Sequence, residues 1–168
     1  MAEYQIRLWG DPVLTQRAAE VAEIDGRLAA MAASMVDTMH AARGLGLAAP
    51  QIGVQKRLFV YQAGEEVRTV VNPTITETSG EWEYEEGCLS IPGLYFPIVR
   101  PKEVHLTGYD LDGHEVSIEA DEVEARCFLH ELDHLDGRLL VDLLDPEQRK
   151  AAMRELRRRV ELGELTGS

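Results

Sequence analysis

His130-Glu131-Leu132-Asp133-His134 reads H-E-x-x-H inside a segment, residues 122–135, whose composition favours helix. On a helix, positions i and i+4 stand one turn apart on the same face, so both imidazoles can reach one metal ion. Glu131, beside the first of them, can address a water on that ion without becoming a ligand. Two His ligands and a Glu base are the parts of a metal-assisted hydrolysis. Five residues alone are weakly specific. The reading turns on whether the chain also supplies a third ligand, an oxyanion donor and a substrate groove.

Two cysteines can provide the third ligand. Cys127 lies three residues before His130 on the same helix face, and three ligands strung along one helix are nearly collinear, a poor match to a tetrahedral site. Flanked by Phe128 and Leu129, it reads as a thiol facing the core or a pocket floor. Cys88 stands in Glu86-Gly87-Cys88-Leu89-Ser90-Ile91-Pro92-Gly93, a predicted loop punctuated at both ends. From there sulfur can approach the ion off the helix axis, so Cys88 is the favoured ligand. Of the other histidines, His40, His105 and His114, none has the downstream spacing of a metzincin third ligand. A Glu from a second helix stays open as an alternative among 30 acids.

Outward from this segment, residues 25–43 repeat Leu28, Met31, Met35 and Met39 at helical spacing, with Asp25 as N-cap and the methionines turned to the core. Gly44-Leu45-Gly46-Leu47-Ala48-Ala49-Pro50-Gln51 ends that helix and lacks the G-K-[ST] of a phosphate loop. Strands are expected at 57–62 and at 67–72, the second ended by Pro73. Residues 74–83 read as extended. Residues 102–109 and 114–118 alternate about Asp110–Gly113 as a hairpin. Gly137 closes the H-E-x-x-H helix, and a last helix follows Asp145-Pro146 to about 160. The fold class is α+β: short, largely antiparallel strands around a central H-E-x-x-H helix, with an N-terminal and a C-terminal helix.

Length predicts one domain, 1–168. No apolar run approaches the roughly 18 residues of a membrane span, and Met1-Ala2-Glu3-Tyr4-Gln5 is neither a signal nor a transit pattern. A cytoplasmic location is therefore expected. Net charge −13 argues against general or specific DNA binding, and two cysteines make no disulfide framework.

Three segments resemble the signature motifs of the peptide deformylases: Gly44–Gln51, Glu86–Ser90 and His130–Gly137, in order and at fitting separations, after an opening Ile6–Leu14 that also fits. The resemblance spans roughly residues 5–145. It implies removal of the N-formyl group from the initiator Met of nascent polypeptides, with release of formate. Carried over by motif position, Cys88, His130 and His134 hold one divalent metal with water as fourth ligand. Fe(II) is the expected ion, with zinc, nickel or cobalt accepted. Glu131 is then general base and acid, and Gln51 and the Leu89 N–H bind the oxyanion. Leu45, Gly46, Tyr84, Val123, Arg126 and Cys127 take substrate-binding positions, with the Arg126 head expected to reach solvent. Glu86 and Arg100 read either as a pair steadying Cys88 or as a surface ion pair.

Family members usually carry Gln before the first motif His, where this chain has Leu129. That departure is expected to loosen the support of the metal helix. In some deformylases a C-terminal helix docks on the ribosome. Here residues 149–160 hold six cations, Arg149, Lys150, Arg154, Arg157, Arg158 and Arg159, against one acid, Glu155. They suit either rRNA phosphates or the acidic body of the chain itself. An H-E-x-x-H peptidase or another N-acyl hydrolase, and a non-enzymatic metal-binding or ribosome-associated module, are the rival readings.

Overall fold

The computed structural model describes residues 3–164; Met1, Ala2 and residues 165–168 lie outside it, and with them part of the N-terminal stretch just read. The chain is α+β. Helix α1 (Gly26–Ala41) precedes strands β1 (Gly46–Ala48), β2 (Leu58–Ala63), β3 (Glu66–Ser79), β4 (Trp82–Cys88), β5 (Ile91–Arg100), β6 (Glu103–Tyr109) and β7 (Glu115–Asp121). Helices α2 (Glu122–Leu135) and α3 (Pro146–Glu161) close the order. Strands β1-β2-β3-β6-β7 form an antiparallel sheet, and β4-β5 a separate hairpin.

Strand β2 shows why the sheet is central. Leu58, Phe59, Val60 and Tyr61 are all buried, and because strand side chains alternate, they face two different cores. Leu58 and Val60 join Leu28, Ala32, Met35 and Met39 of α1. Phe59 and Tyr61 join Ala125, Phe128 and Leu135 of α2, with the Tyr61 and Phe128 rings edge-to-face at 4.8 Å. The methionine stripe of α1 is core, as its spacing indicates. Asp25 caps that helix, its carboxylate accepting from the Leu28 N–H at 2.9 Å.

Two strand boundaries differ from expectation. Pro73 does not end β3, which continues to Ser79. The register slips between Val71 and Thr74, so the proline falls in a bulge where no ladder donor is required. Asn72 there takes φ 50°, and its side chain exchanges two hydrogen bonds with the Val21 backbone. The stretch Glu86–Gly93 is likewise not a loop. Glu86 to Cys88 end β4, Ile91 opens β5, and only Leu89-Ser90 turn between them. The short turn follows from pairing that holds Gly87 opposite Tyr95 and Cys88 opposite Ile91, across a register slip.

Helix α2 therefore lies with one face on the sheet and the other toward β4. Its C-terminal end is held by Arg57, whose guanidinium donates to the Leu135 carbonyl at 2.9 Å and to Asp136 at 2.8 Å, a cation at the negative end of the helix dipole. Gly137 follows at φ 76°, and a Cβ there would stand 2.9 Å from the Gln16 backbone, so both conformation and space select glycine.

Candidate active site

The i, i+4 spacing puts the Nε2 atoms of His130 and His134 3.2 Å apart, and the end of β4 brings Cys88 Sγ to 3.3 Å from His134 Nε2. Ligand atoms of all three residues lie within 4.8 Å of one another. Donors held about 2.0–2.3 Å from one tetrahedral ion stand roughly 3.3–3.6 Å apart, so the observed spacing fits such a group. Cys127 is outside this cluster.

Hydrogen bonding and burial shape the same group. His130 Nδ1 faces the Glu86 carboxylate at 2.7 Å, which turns Nε2 toward Cys88 and His134. Burial opposes its charge, but Cys88 and Glu86 outweigh burial and raise its pKa well above the ordinary histidine range, so an ion bound there would displace the Nε2 proton. Burial, reinforced by His130, holds His134 well below the ordinary histidine range and therefore neutral. Two buried polar atoms at the site, Glu131 Oε1 and His134 Nδ1, have no hydrogen-bond partner among the described residues. Such orphans call for a partner that is not protein.

Glu86 is 6% exposed and held on every side. Arg100 donates to both its oxygens at 2.9 and 2.7 Å, and Arg126 to one at 2.9 Å. Burial would raise this carboxyl, but the hydrogen bonds and charges of Arg100 and His130 outweigh it and hold it well below the usual carboxylate range. Arg100 reaches on to Asp133 at 2.9 Å. The Glu86–Arg100 pair is thus buried support for the site, not a surface pair.

Arg126 corrects the expectation made for it. Its head does not reach solvent: the residue is 4% exposed, and the guanidinium donates to Glu86 and to the Trp82 carbonyl at 2.6 Å while lying over the Trp82 ring, 5.3 Å from its centre. A deeply buried carboxylate and an aromatic face outcompete water for a planar cation. Leu129 also sits elsewhere than the metal face, packed into the apolar cluster between α2 and the sheet.

Glu131 is buried, and burial pushes its carboxyl up to about 7. Gly46 on β1 passes so close that a Cβ would fall 2.6 Å from Glu131 Oε2 and 2.8 Å from Cys127 Sγ, and only glycine allows this approach. Burial, with Glu131 nearby, raises the Cys127 thiol well above its usual range, so it stays protonated. Gln51 is fixed by Ala48, whose N–H donates to its Oε1 at 3.0 Å; the amide Nε2 then points to Ser90 Oγ at 3.1 Å and toward Cys88 Sγ at 3.9 Å. Ser90, fully buried, holds that amide in place. Sequence reading gave it no role, although a hydroxyl between Leu89 and Ile91 was a signal.

A cleft of about 450 Å³ opens onto these groups. Leu45, Gly46, Tyr84, Val123, Arg126 and Cys127 line it, together with Gln51, Cys88, Leu89, His130 and Glu131, while His134 lies behind, 1% exposed. Buried donors for a metal, a carboxyl poised near neutrality and an amide donor share one end of a groove whose lining includes the apolar side chains of Leu45, Leu89 and Val123. That arrangement can hydrolyse an acyl bond next to an apolar side chain.

Comparison with known proteins gives a consistent result. The family model described as polypeptide deformylase matches residues 3–150. The peptide deformylase of Acidothermus cellulolyticus is 46% identical over 94% of this chain and 87% of its own length. Among solved structures, a peptide deformylase from Legionella pneumophila superposes with TM-score 0.90 at 40% identity, covering 98% of this chain and 99% of that one. One from Synechococcus elongatus in complex with actinonin gives TM-score 0.86 at 38% identity, covering 90% and 85%.

Proposed function

The chain belongs to the polypeptide deformylase family, an enzyme family that removes the formyl group from nascent peptides, and from that premise we propose a role for each residue of the cleft. Cys88, His130 and His134 hold a single divalent ion, and the observation that carries this is the convergence of their Sγ, Nε2 and Nε2 atoms beside Glu131. Fe(II) is the ion we assign, with zinc, nickel and cobalt as substitutes; a thiolate among two imidazoles suits each of them. When bound, such an ion supplies a water acidified to a pKa of about 7 and polarises the formyl carbonyl.

Glu131, near neutrality, takes the proton of the attacking water and returns it to the leaving amine nitrogen. The Gln51 amide and the Leu89 backbone N–H donate to the oxygen that gains charge, where one such donor contributes ~3–4 kcal/mol in precedent systems. Arg100, Arg126 and Glu86 keep the His130 ring turned so that Nε2 faces the site. The initiator Met side chain enters between Leu45, Tyr84, Val123 and Cys127, and the peptide backbone adds to the free edge of β1. Residues 3–164 act as one catalytic domain, working in the cytoplasm; among them no helix is long and apolar enough to cross a membrane.

Formate release from formyl-Met peptides by anaerobic, Fe(II)-loaded protein tests this reading, with metal analysis of the same sample. Formate at stoichiometry with free amine supports it. Cleavage of blocked, unformylated peptides would place the chemistry at an internal bond instead. Actinonin, bound by the Synechococcus relative, is expected to inhibit.

Part of the basic C-terminal helix is also free for a partner. Arg149 pairs with Asp142, Arg158 and Arg159 with Glu155, and Arg159 also with the Pro92 carbonyl. Lys150, Arg154 and Arg157 form an outward row at i, i+4, i+7 with no ion-pair partner among the described residues. We assign that row to ribosomal RNA phosphates.

A further inference from the structure

We propose that Arg43 is a specificity-determining residue, which reads the charge of the third or fourth residue of the formylated peptide and favours an acidic side chain there. The inference rests on the reading of the cleft as the peptide site. Among the described residues strand β1 pairs only with β2, so its second edge is open for an added strand. Gly46 lies against Glu131, so the formyl end of a peptide belongs beside Gly46. Onward from there Leu47 and Ala48 are buried and Gln51 is 1% exposed, which closes that direction. The peptide must instead run back along β1, antiparallel, toward Gly44 and Arg43. Strand β1 begins at Gly46, and Gly44 and Arg43 form the turn that ends α1; a peptide that leaves the strand edge there passes this turn with its third and fourth residues, about 3.3 Å per extended residue.

Arg43 lines the same cleft, is exposed, and has no ion-pair partner among the described residues. Helix capping does not account for it. Arg43 follows the last turn of α1 at φ 58°, with its N–H on the His40 carbonyl at 3.0 Å and the Gly44 N–H on the Met39 carbonyl at 2.9 Å. Glycine is the ordinary occupant of that position, and a side chain there is sterically disfavoured. A strained cation at the rim of a substrate cleft is where specificity outweighs local stability. Glu85 lies on the opposite wall and lines the cleft too. A scan of peptide charge in the wild type alone would mix the two, so Arg43 must be varied.

The test uses metal-loaded enzyme and C-terminally amidated formyl-Met tetrapeptides carrying Glu, Ala or Lys at the third or the fourth position. Formate release gives kcat and KM for wild type, Arg43→Gly and Arg43→Glu. At low salt the Glu-to-Lys ratio of kcat/KM is expected to fall about two- to fivefold in Arg43→Gly, as for an exposed ion pair, and further in Arg43→Glu. The change should sit in KM, because the contact is remote from the reacting bond, and fade at high salt. The Tm of Arg43→Gly should not fall. A ratio that ignores residue 43 at both peptide positions, or that changes equally at high salt, overturns the proposal. Turnover of the Ala peptides with an unmoved ratio sinks this inference alone; no formate from any peptide sinks the reading of the cleft along with it.

Discussion

Glu131 is the residue on which turnover, but not metal binding, is expected to depend. Its carboxyl is near neutral pKa because it is buried, and its oxygens lie against Gly46 and Cys127, not within the Cys88–His130–His134 cluster. Glu131→Gln is therefore expected to retain a full complement of metal and to lose roughly 10²–10⁴-fold in kcat, the usual contribution of a positioned base; metal analysis alongside formate release reads both. The two cysteines give a matching contrast. Cys88→Ser should lose metal to a chelator, whereas Cys127→Ser, changing a protonated thiol that donates to the Leu45 carbonyl at 3.8 Å, should retain it. Equal loss in both would refute the ligand assignment. At this scale the sequence was informative where spacing along one helix suffices, as for His130, Glu131 and His134. It failed for Arg126, because the partners that draw its head inward, Glu86 and Trp82, arrive from a hairpin some forty residues earlier in the chain. Nothing in the local pattern around an Arg can report that.

The hairpin β4-β5 does for the site what no single residue can. It carries Cys88, delivers Glu86 to His130, and anchors Arg100, all through one antiparallel register that pairs Trp82 with Arg100 and Glu86 with Phe96. The consequence is that Glu86 neutralises two buried guanidiniums. Glu86→Ala would leave Arg100 and Arg126 buried without their shared carboxylate, an expected loss of about 3–5 kcal/mol, which for a chain of this size lowers Tm on the order of 10 °C. Thermal melts at constant metal load measure it; a shift of a degree or two would show that water reaches the pair. Glycine and proline obscured this element in the sequence. Gly87, Pro92 and Gly93 read as loop punctuation, yet Gly87 lies under the Tyr95 ring, where a Cβ would be 2.5 Å from a ring carbon. The same residue type that marks a turn also marks a close approach between strands, and only the tertiary contact separates the two. Pro73, absorbed in a bulge of β3, misled for a related reason.

Across the molecule the apolar pattern was legible where it is periodic: the stripe of α1 and the alternation of β6 and β7 follow from spacing, while α2 was read from its composition. What spacing does not reveal is how distant elements share a core. Leu156 of α3 is fully buried in one cluster with Leu14, Ile91, Ile98 and Cys88 itself, so the C-terminal helix supports the floor of the metal hairpin while its opposite face presents Lys150, Arg154 and Arg157. These two faces predict separable defects. Leu156→Ala removes a packed side chain at an expected cost of about 2–5 kcal/mol, visible as a lowered Tm and faster metal loss, with ribosome binding reduced only as far as the fold is. Reversing Lys150, Arg154 and Arg157 to Glu breaks no ion pair among the described residues and no apolar contact of the cluster. That variant should keep Tm within a few degrees and keep kcat/KM on a free peptide, while its co-sedimentation with ribosomes drops and the wild-type interaction weakens steeply with salt. If the triple variant sediments as the wild type does, the basic row only balances an acidic chain of net charge −13, and α3 serves packing alone.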